Sequence, residues 1–387
     1  MDASVTAMKI ILSIDTVRFP LTGVGRYSYE LARGLEQHSQ VTELKLLGGL
    51  NFKATLPVAG ASAGNHHVLK RVIQGNRLAV AAYQKLQPVF RALRLRSMGD
   101  HIYHSPNYFL PPFAGRKVAT FHDLSVFRSP EYFDPTMVNY LRKGFEHTLK
   151  TADRLITDSE FIRKELAEFS GWPLARIHTV PLAAAPDFRP RSAVEVAPNL
   201  ARYNLAYQGY TLYVGTIEPR KNLMRLIDAY GTLPLTLRQS WPLVISGYAG
   251  WQSDAIHERM RRAESQGWLR YLGFVPADDL LALYAAARVF AFPSLYEGFG
   301  LPVLEAMSCG VPVVCSNSAS LPEVAGNAAL MCQPEDTAAL GENLRVALED
   351  EPWRVQAVKG GLAHAAGFSW EQCVNQTVDV YRQLRNE

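Results

Sequence analysis

The sequence predicts an α/β protein made of two doubly wound domains that face each other across a cleft. Three observations lead to this class. The chain has 387 residues, which suits two domains of ordinary size. Short apolar runs alternate with helix-like patterns in both halves, which is typical of parallel sheets covered by helices. A stretch with three prolines, mixed charges and little periodicity separates the two series.

Each half contains six apolar runs that are predicted to be strands. In the first half they are Met8–Ile14, Glu43–Leu47, His101–His104, Lys117–Phe121, Arg154–Thr157 and Ile177–Pro181. In the second half they are Thr211–Gly215, Pro242–Ser246, Arg270–Phe274, Arg288–Phe292, Val311–Cys315 and Ala329–Cys332. We expect an N-terminal domain at 1–185, a linker at 186–208 and a C-terminal domain at 209–368. The last segment, 369–387, is expected to form a helix that packs back on the N-terminal domain.

Composition narrows the function classes. No apolar stretch reaches the ~20 residues that span a bilayer, and residues 1–7 lack a signal-peptide pattern. We therefore expect a cytoplasmic protein. The four cysteines have no metal-binding spacing and are predicted to be buried thiols. The motifs D-x-D, H-E-x-x-H, G-x-S-x-G and the Walker pattern are absent, so no metal or cofactor is expected and hydrolase and P-loop functions are disfavoured.

The segment that follows the strand at 288–292 carries two carboxylates eight residues apart. Glu297 lies in a glycine-rich turn, and Glu305 lies about one turn inside a helix that Pro302 can begin. The amides at the start of this helix favour an anion such as phosphate, and Glu305 can accept hydrogen bonds from sugar or ribose hydroxyls. The alternative is a loop with a charged rim and a capping glutamate.

Other strand ends carry further candidates. Gly23 and Gly25 allow a backbone to approach a phosphate or sugar closely, or form a plain tight turn. His122 and Asp123 directly follow a strand, where a histidine can bind substrate hydroxyls, act as a base or be structural. The basic pair that follows the first strand of the second half is a candidate phosphate clamp or a solvated pair; it consists of Arg220 and Lys221.

Between Leu44 and Gly99 the chain has no acidic residue but nine basic ones. The part from Val68 to Arg96 also has apolar residues at helix-like intervals. It is either a solvated helical face, a surface for anionic lipid, or a binding site for an acidic acceptor such as a lipid diphosphate. Nucleic acid is disfavoured because aromatic residues are few. The candidates are Lys70, Arg71, Arg77, Arg91, Arg94 and Arg96.

Together these motifs resemble the retaining glycosyltransferases of family 4, which have the GT-B fold of two Rossmann-like domains. The resemblance covers essentially the whole chain. It is sharpest at residues 292–314, where Glu297 and Glu305 match the E-x7-E motif, and it continues through residues 321–326. Residues 23–27, 120–124 and 214–223 resemble the branch that contains mannosyl- and rhamnosyltransferases of bacterial surface polysaccharides.

The resemblance implies roles for these residues. Glu305 would bind the ribose of the nucleotide and Glu297 the donor sugar, while Arg220 and Lys221 would neutralise the leaving phosphates. His122 would meet the donor sugar near the reacting carbon. The remaining donor-site candidates are Gly23, Gly25, Asp123, Phe299, Gly300 and Leu301. Many family members have arginine where this chain has Thr216, so Arg220 is expected to supply that charge.

The function expected from this resemblance is the transfer, with retention, of mannose or a 6-deoxyhexose such as rhamnose. The donor would be a GDP-sugar and the acceptor a lipid-linked saccharide of the O-antigen type, at the inner face of the membrane, with the enzyme bound peripherally. A nucleotide-sugar epimerase of the same fold and a non-catalytic saccharide-binding protein are the alternatives. The sequence leaves the oligomeric state open.

Overall fold

The computed structural model describes residues 7–21, 23–58 and 89–385, which form two α/β lobes and confirm the predicted fold class. The N-terminal lobe contains the strands β1 (Met8–Ser13), β2 (Val41–Gly48), β3 (Asn51–Lys53), β4 (Ile102–Ser105), β5 (Arg116–Phe121), β6 (Arg154–Thr157) and β7 (Ile177–Thr179). The C-terminal lobe contains β8 (Thr211–Val214), β9 (Leu243–Ser246), β10 (Leu269–Gly273), β11 (Val289–Phe292), β12 (Val313–Ser316) and β13 (Ala329–Cys332).

Helices cover both sheets. In the N-terminal lobe they are α1 (Gly23–Gln37), α2 (Ser125–Arg128), α3 (Pro135–Thr151) and α4 (Glu160–Ser170). They continue with α5 (Ala193–Ala201), α6 (Leu223–Thr232), α7 (Leu235–Ser240), α8 (Asp254–Ser265), α9 (Ala277–Ala286), α10 (Leu301–Ser308), α11 (Leu321–Ala325), α12 (Thr337–Glu349), α13 (Glu351–Ala365) and α14 (Trp370–Arg385). Residues 89–95 are also helical.

The strand order places a ligand-binding crevice in each lobe. The N-terminal sheet has the order β3-β2-β1-β4-β5-β6-β7 and the C-terminal sheet the order β10-β9-β8-β11-β12-β13. The described pairings are parallel except that of β2 with β3, which is antiparallel. The chain moves to opposite sides of β8 when it forms β9 and then β11. The carboxyl ends of β8 and β11 therefore border the kind of switch point at which open α/β sheets bind ligands.

Local sequence explains where the helices nearest the cleft begin. Helix α4 follows Ser159, whose hydroxyl accepts a hydrogen bond from the Ile162 amide, and it ends at Gly171 with a positive φ of 72°. Helix α10 follows Gly300, whose φ of 106° suits glycine, and Pro302 lies in its first turn. These capping residues fix the ends of the helices that point at the cleft.

Two segments connect the lobes outside the cleft. The linker region contains α5, a helix that the sequence did not predict because Pro198 and mixed charges obscure its period; it packs against α9 of the C-terminal lobe. The last helix, α14, packs on the N-terminal lobe, where Val374 lies so close to Gly34 that a larger residue there would clash. Helix α14 therefore returns to the lobe that contains α1. The four cysteines are buried, as predicted.

Candidate active site

The two carboxylates of the C-terminal lobe lie on either side of the turn between β11 and α10. Glu297 is 8% exposed, and Glu305 lies on α10, which is eight residues long. The Ser320 hydroxyl stabilises this turn, because it donates to the carbonyl oxygens of Glu297 and Phe299 at 2.9 and 2.8 Å. The turn that the sequence predicts to bind a charged ligand is therefore held in place by hydrogen bonds.

Lys221 and Arg220 both face Glu297. The Lys221 ammonium lies 2.5 Å from Glu297 Oε1, and the Arg220 guanidinium lies 3.4 Å from Oε2. Burial acts to raise the pKa of Glu297, but the two cations outweigh it and hold that pKa below its usual value. The sequence-predicted clamp and the first motif glutamate are thus brought together, across the carboxyl ends of β8 and β11.

Arg220 has more negatively charged and hydrogen-bonding partners than Lys221. Its guanidinium also binds Glu218, which is 1% exposed, and donates to the Tyr296 carbonyl at 2.7 Å. Burial raises the pKa of Glu218, and the neighbouring carboxylates raise that of Arg220 despite its burial. Lys221 has one carboxylate contact, with Glu297, and lies over the Phe292 ring at 5.3 Å. Lys221 is consequently the cation better placed to exchange its partner for a phosphate.

Glu305 faces the first lobe. Burial raises its pKa to about 7, which the Tyr284 hydroxyl and Arg26 partly offset. Gly23, Gly25 and Arg26 lie in the first turn of α1, so the glycines begin a helix and do not form a separate tight turn. A Cβ added at Gly23 would lie 3.9 Å from the Leu301 side chain. The structure therefore places the start of α1 opposite the start of α10.

His122 is held at both ring nitrogens. Nδ1 lies 2.7 Å from Asp158 Oδ2, and Nε2 donates to the Pro106 carbonyl at 2.8 Å. Burial lowers the pKa of His122, but attraction to Asp158 and these hydrogen bonds outweigh it and raise that pKa overall. Both ring nitrogens are therefore occupied by partners within the N-terminal lobe. Burial raises the pKa of Asp158 as well, although attraction to His122 offsets part of that rise.

Asp123, the next residue, serves the local turn. Its Oδ1 accepts hydrogen bonds from the Ser125 amide at 3.0 Å and the Ser125 hydroxyl at 2.7 Å. The carboxylate therefore caps α2 in the described structure. A contact between Asp123 and a donor remains a prediction.

The loop that carries Glu297 is pressed against the N-terminal lobe. A Cβ added at Gly298 would lie 1.8 Å from the His122 carbonyl oxygen, a separation that no side chain tolerates. The Gly298 carbonyl accepts a hydrogen bond from the Ser159 hydroxyl at 2.8 Å. Glu323 accepts hydrogen bonds from the first amides of α4, at 2.8 Å from Glu160 and 2.6 Å from Phe161. The residues of both lobes thus form one continuous site.

A buried polar chain, which sequence reasoning did not find, links α14 to this site. The Tyr381 hydroxyl contacts His104 Nδ1 at 2.5 Å, His104 Nε2 contacts the Thr120 hydroxyl at 2.9 Å, and Thr120 contacts the Tyr27 hydroxyl at 2.9 Å. Burial lowers the pKa of His104 to about 3, so its ring is neutral. Tyr27 packs edge-on against His122 with ring centroids 5.0 Å apart.

The basic segment needs one correction. Arg91, a predicted membrane or acceptor contact, is 7% exposed; it pairs with Asp15 and donates to the Gly49 carbonyl at 2.8 Å. It ties the end of β1 to the turn after β2 and is not available to a membrane surface. Arg94 is exposed and donates to Asn51 at 3.1 Å, and Arg96 is exposed. The other candidates lie outside the described residues; they are Lys70, Arg71 and Arg77.

Two features are absent from the described residues. Within residues 7–21, 23–58 and 89–385, no helix is long and apolar enough to cross a bilayer. The same ranges contain no group of three or more histidine, cysteine, aspartate or glutamate residues that could hold a metal ion.

The fold and the site define a glycosyltransferase of the GT-B type, and comparison with known proteins agrees. Residues 21–188 match the model of Glycosyltransferase Family 4, and residues 205–363 match that of glycosyl transferases group 1. The chain is 46% identical over 381 residues to O-antigen chain mannosyltransferase B of Escherichia coli, a match that covers 97% of this chain and 100% of that protein. The chain therefore belongs to glycosyltransferase family 4.

Other similar proteins point the same way. The chain is 34% identical over 345 residues to the serotype-specific mannosyltransferase WbdA of Escherichia coli, covering 86% of this chain and 41% of WbdA. Among solved structures, HepE of Anabaena in complex with UDP and glucose matches with a TM-score of 0.70 at 17% identity, over 97% of this chain and all of that one. WaaG, a glycosyltransferase involved in lipopolysaccharide biosynthesis, matches with a TM-score of 0.69 at 16% identity, over 96% of this chain and 99% of WaaG. At these identities the solved structures support the fold alone.

Proposed function

We propose that this glycosyltransferase transfers mannose from GDP-mannose to a lipid-linked saccharide in O-antigen synthesis, with retention at the anomeric carbon and without a metal ion. The observation that carries the proposal is the 46% identity, over the full length, to a protein named as an O-antigen chain mannosyltransferase. A second relative, WbdA, is also named as a mannosyltransferase. Mannose is accordingly favoured over a 6-deoxyhexose such as rhamnose.

The paired residues at the switch point supply the chemistry. When the diphosphate of the donor enters, Lys221 exchanges Glu297 for phosphate oxygens, and Glu297 becomes free to accept hydrogen bonds from the sugar hydroxyls. Each well-placed donor to the developing phosphate charge contributes about 3 kcal/mol to catalysis. Lys221 and the amides that begin α10 are the groups that take this role in place of a metal.

Retention follows, in this proposal, from attack on the same face that the phosphate leaves. Glu297, the buried carboxylate beside the donor sugar, keeps the Arg220 guanidinium at 3.4 Å after Lys221 turns to the phosphates, which makes it a poor covalent nucleophile. Both ring nitrogens of His122 are already hydrogen-bonded, to Asp158 and to the Pro106 carbonyl, so His122 is not placed to take the acceptor's proton. The departing phosphate oxygen is then the remaining base, and the sugar passes through an oxocarbenium-like state.

The proposal includes attachment of the enzyme to a membrane surface. A lipid-linked acceptor requires the enzyme to work at the inner face of the membrane, as a peripheral protein. Arg94 and Arg96 are exposed on the N-terminal lobe, close to the exposed apolar side chains of Phe90 and Leu93. Such a combination suits an anionic lipid surface.

Two measurements test the proposed function. A thermal-shift panel of GDP-, UDP- and dTDP-sugars identifies the donor, since a ligand that binds the native state raises its melting temperature. We expect GDP-mannose to give the largest shift. Incubation with that donor and a lipid-linked mannosyl acceptor should give an extended product, whereas donor alone should not yield a 2-epimer. A larger shift with another base, or epimerisation without acceptor, would overturn the assignment.

A further inference from the structure

Tyr296 joins the two lobes through its side chain. Its hydroxyl accepts a hydrogen bond from the Leu124 amide at 3.1 Å and donates one to the carboxylate of Glu165 on α4. Both partners belong to the N-terminal lobe, whereas Tyr296 lies in the loop after β11 of the C-terminal lobe. The ring also packs edge-on against Phe161, with centroids 6.1 Å apart. One side chain of the C-terminal lobe is thus bound at several points to the other lobe.

The partner carboxylate is itself fixed in place. Glu165 is 8% exposed, and its other oxygen accepts a hydrogen bond from Arg128 Nε at 2.8 Å. Arg128 lies at the end of α2, which follows Leu124. The tyrosine hydroxyl therefore enters a site that the N-terminal lobe has already formed.

The main chain of Tyr296 reaches the reacting end of the site. Its carbonyl accepts a hydrogen bond from Arg220 at 2.7 Å, and the same guanidinium lies 3.4 Å from the Glu297 carboxylate. Tyr296 and Glu297 are neighbours in sequence, so the backbone of one sets the direction of the other. The contact with Glu165 and the orientation of Glu297 are consequently carried by one peptide segment.

Donor binding makes this support necessary. In the described structure Lys221 holds the Glu297 carboxylate at 2.5 Å. In the proposed function Lys221 turns to the donor phosphates, and Glu297 loses that partner just when it must meet the sugar. Glu297 then keeps Arg220 at 3.4 Å and depends on its backbone, which is held by Ser320 within its own lobe and by Tyr296 across the cleft.

We propose that Tyr296 is a positioning residue that couples contact between the lobes to the orientation of Glu297. The inference rests on the proposed function, because it assigns Tyr296 a part in the same sugar transfer. With the lobes in contact, the hydroxyl binds Glu165 and Leu124 and the glutamate faces the sugar. With the lobes apart, the hydroxyl is hydrated and the loop loses its external support. Turnover is thereby confined to the state in which both lobes hold the substrates.

The test compares two tyrosines that each bind a carboxylate. Tyr296→Phe removes the hydroxyl between the lobes, whereas Tyr203→Phe removes a hydroxyl that binds Asp279 at 2.8 Å, away from the cleft. We expect Tyr296→Phe to lower kcat about tenfold, the low end of what a hydrogen bond to a charged group contributes. Its KM for GDP-mannose should change by less than about twofold. Tyr203→Phe should match wild type in both constants.

A distance measurement adds a readout that a purely structural role would not change. The native cysteines are buried, so fluorophores can be attached after Arg142→Cys in one lobe and Arg261→Cys in the other, both exposed positions. GDP-mannose should bring the labels closer in the wild-type background and less so with Tyr296→Phe. A second variant, Glu165→Gln, should also lower kcat. Combined with Tyr296→Phe it should cause no further loss, because both changes break the same contact.

The outcomes separate this inference from the proposed function. If wild type and Tyr203→Phe fail to transfer mannose, the proposed function is wrong. If both transfer it and Tyr296→Phe retains their kcat, the inference alone is wrong. Additive losses in the double variant, or a higher KM with unchanged kcat, would also overturn it. Should Tyr296→Phe melt at a clearly lower temperature than Tyr203→Phe, the kcat of Glu165→Gln decides in the same way.

Discussion

The α-carbon of Gly298 lies against the carbonyl oxygen of His122, so that a Cβ added at position 298 would lie 1.8 Å from that oxygen. The two residues belong to different lobes. His122 is itself a predicted site residue, and Gly298 directly follows Glu297. Glycine at 298 is therefore what allows the loop of Glu297 to approach the strand end of His122. This contact sets how closely the lobes can meet around the substrates.

Gly298→Ala should force the lobes apart while each lobe stays folded. A displacement of about 1 Å at the reacting groups can cost about 100-fold in rate, and we expect a loss of that order in kcat. The matched control is Gly231→Ala on α6, where an added Cβ meets nothing within 4 Å. That variant should keep full activity and a melting temperature at least equal to wild type. Normal turnover of Gly298→Ala would show that the contact is not needed.

The raised pKa of Glu305 predicts that donor binding depends on pH. Its pKa of about 7 means that the carboxyl is largely protonated at pH 6 and ionised at pH 8. If the ionised form binds the ribose hydroxyls, donor affinity should rise about tenfold between these values. Calorimetric titration of GDP-mannose at pH 6, 7 and 8 measures this rise. In Glu305→Gln the affinity should be low and independent of pH.

The raised pKa of Glu305 also makes the stability of the folded protein depend on pH. The folded state holds the Glu305 proton to a higher pH than the unfolded chain, so this residue lowers stability as pH rises from about 4.5 through about 7. Glu305→Gln should therefore raise the melting temperature of the ligand-free protein more at pH 8 than at pH 5. An equal effect at both pH values would mean that the carboxyl titrates normally.

The pairing of His122 with Asp158 predicts a second pH effect on stability, of the same sign. The pKa of His122 is raised in the folded state, so its stabilisation is fully present below the unfolded value of about 6.5 and is lost as pH rises through the folded value. Asp158→Asn removes the facing charge and should cost about 3 kcal/mol at pH 6. Urea unfolding at pH 6 and pH 9 should show a smaller difference from wild type at the higher pH. The same loss at both pH values would show that the pKa of His122 is not raised.

Substitutions of the three described arginines of the basic segment should differ in their effect on stability. Arg91→Gln breaks a buried pair with Asp15 and should cost about 2 kcal/mol of unfolding free energy. Arg94→Gln and Arg96→Gln, at exposed positions, should leave stability within about 0.5 kcal/mol. If the segment binds anionic lipid, the latter two together should weaken co-sedimentation with phosphatidylglycerol vesicles. Unchanged co-sedimentation would remove these residues from a membrane contact.

The sequence predicted the strands well because buried parallel strands are short apolar runs bounded by turn residues. All twelve predicted strands are present, within about two residues at their ends. β3 was missed because its three residues are polar or partly exposed, and it forms only by antiparallel pairing with β2. Helix α5 was missed because its single buried face is short and interrupted by Pro198.

The site was predictable where it is local in sequence and not where it depends on distant partners. Glu297 and the basic pair lie in the segments that follow strands, and Glu305 lies on the helix that begins at the end of the glycine-rich turn, so local sequence indicates all of them. The burial of Arg91 depends on Asp15, 76 positions away, and the contact of Tyr296 with Glu165 spans 131 positions. Nothing in either residue's neighbourhood signals its partner. The same holds for Asp158, which follows the next strand and acts to raise the pKa of His122.

The most direct test of the account is mannosyl transfer by wild type and Lys221→Met, with Lys359→Met on the exposed face of α13 as the control. Wild type and the control should transfer mannose from GDP-mannose and give a product whose anomeric configuration, read by NMR, matches that of the donor. Lys221→Met should fold but turn over at least about tenfold more slowly. Inversion of the anomeric carbon, or turnover of Lys221→Met equal to that of the control, would contradict the account.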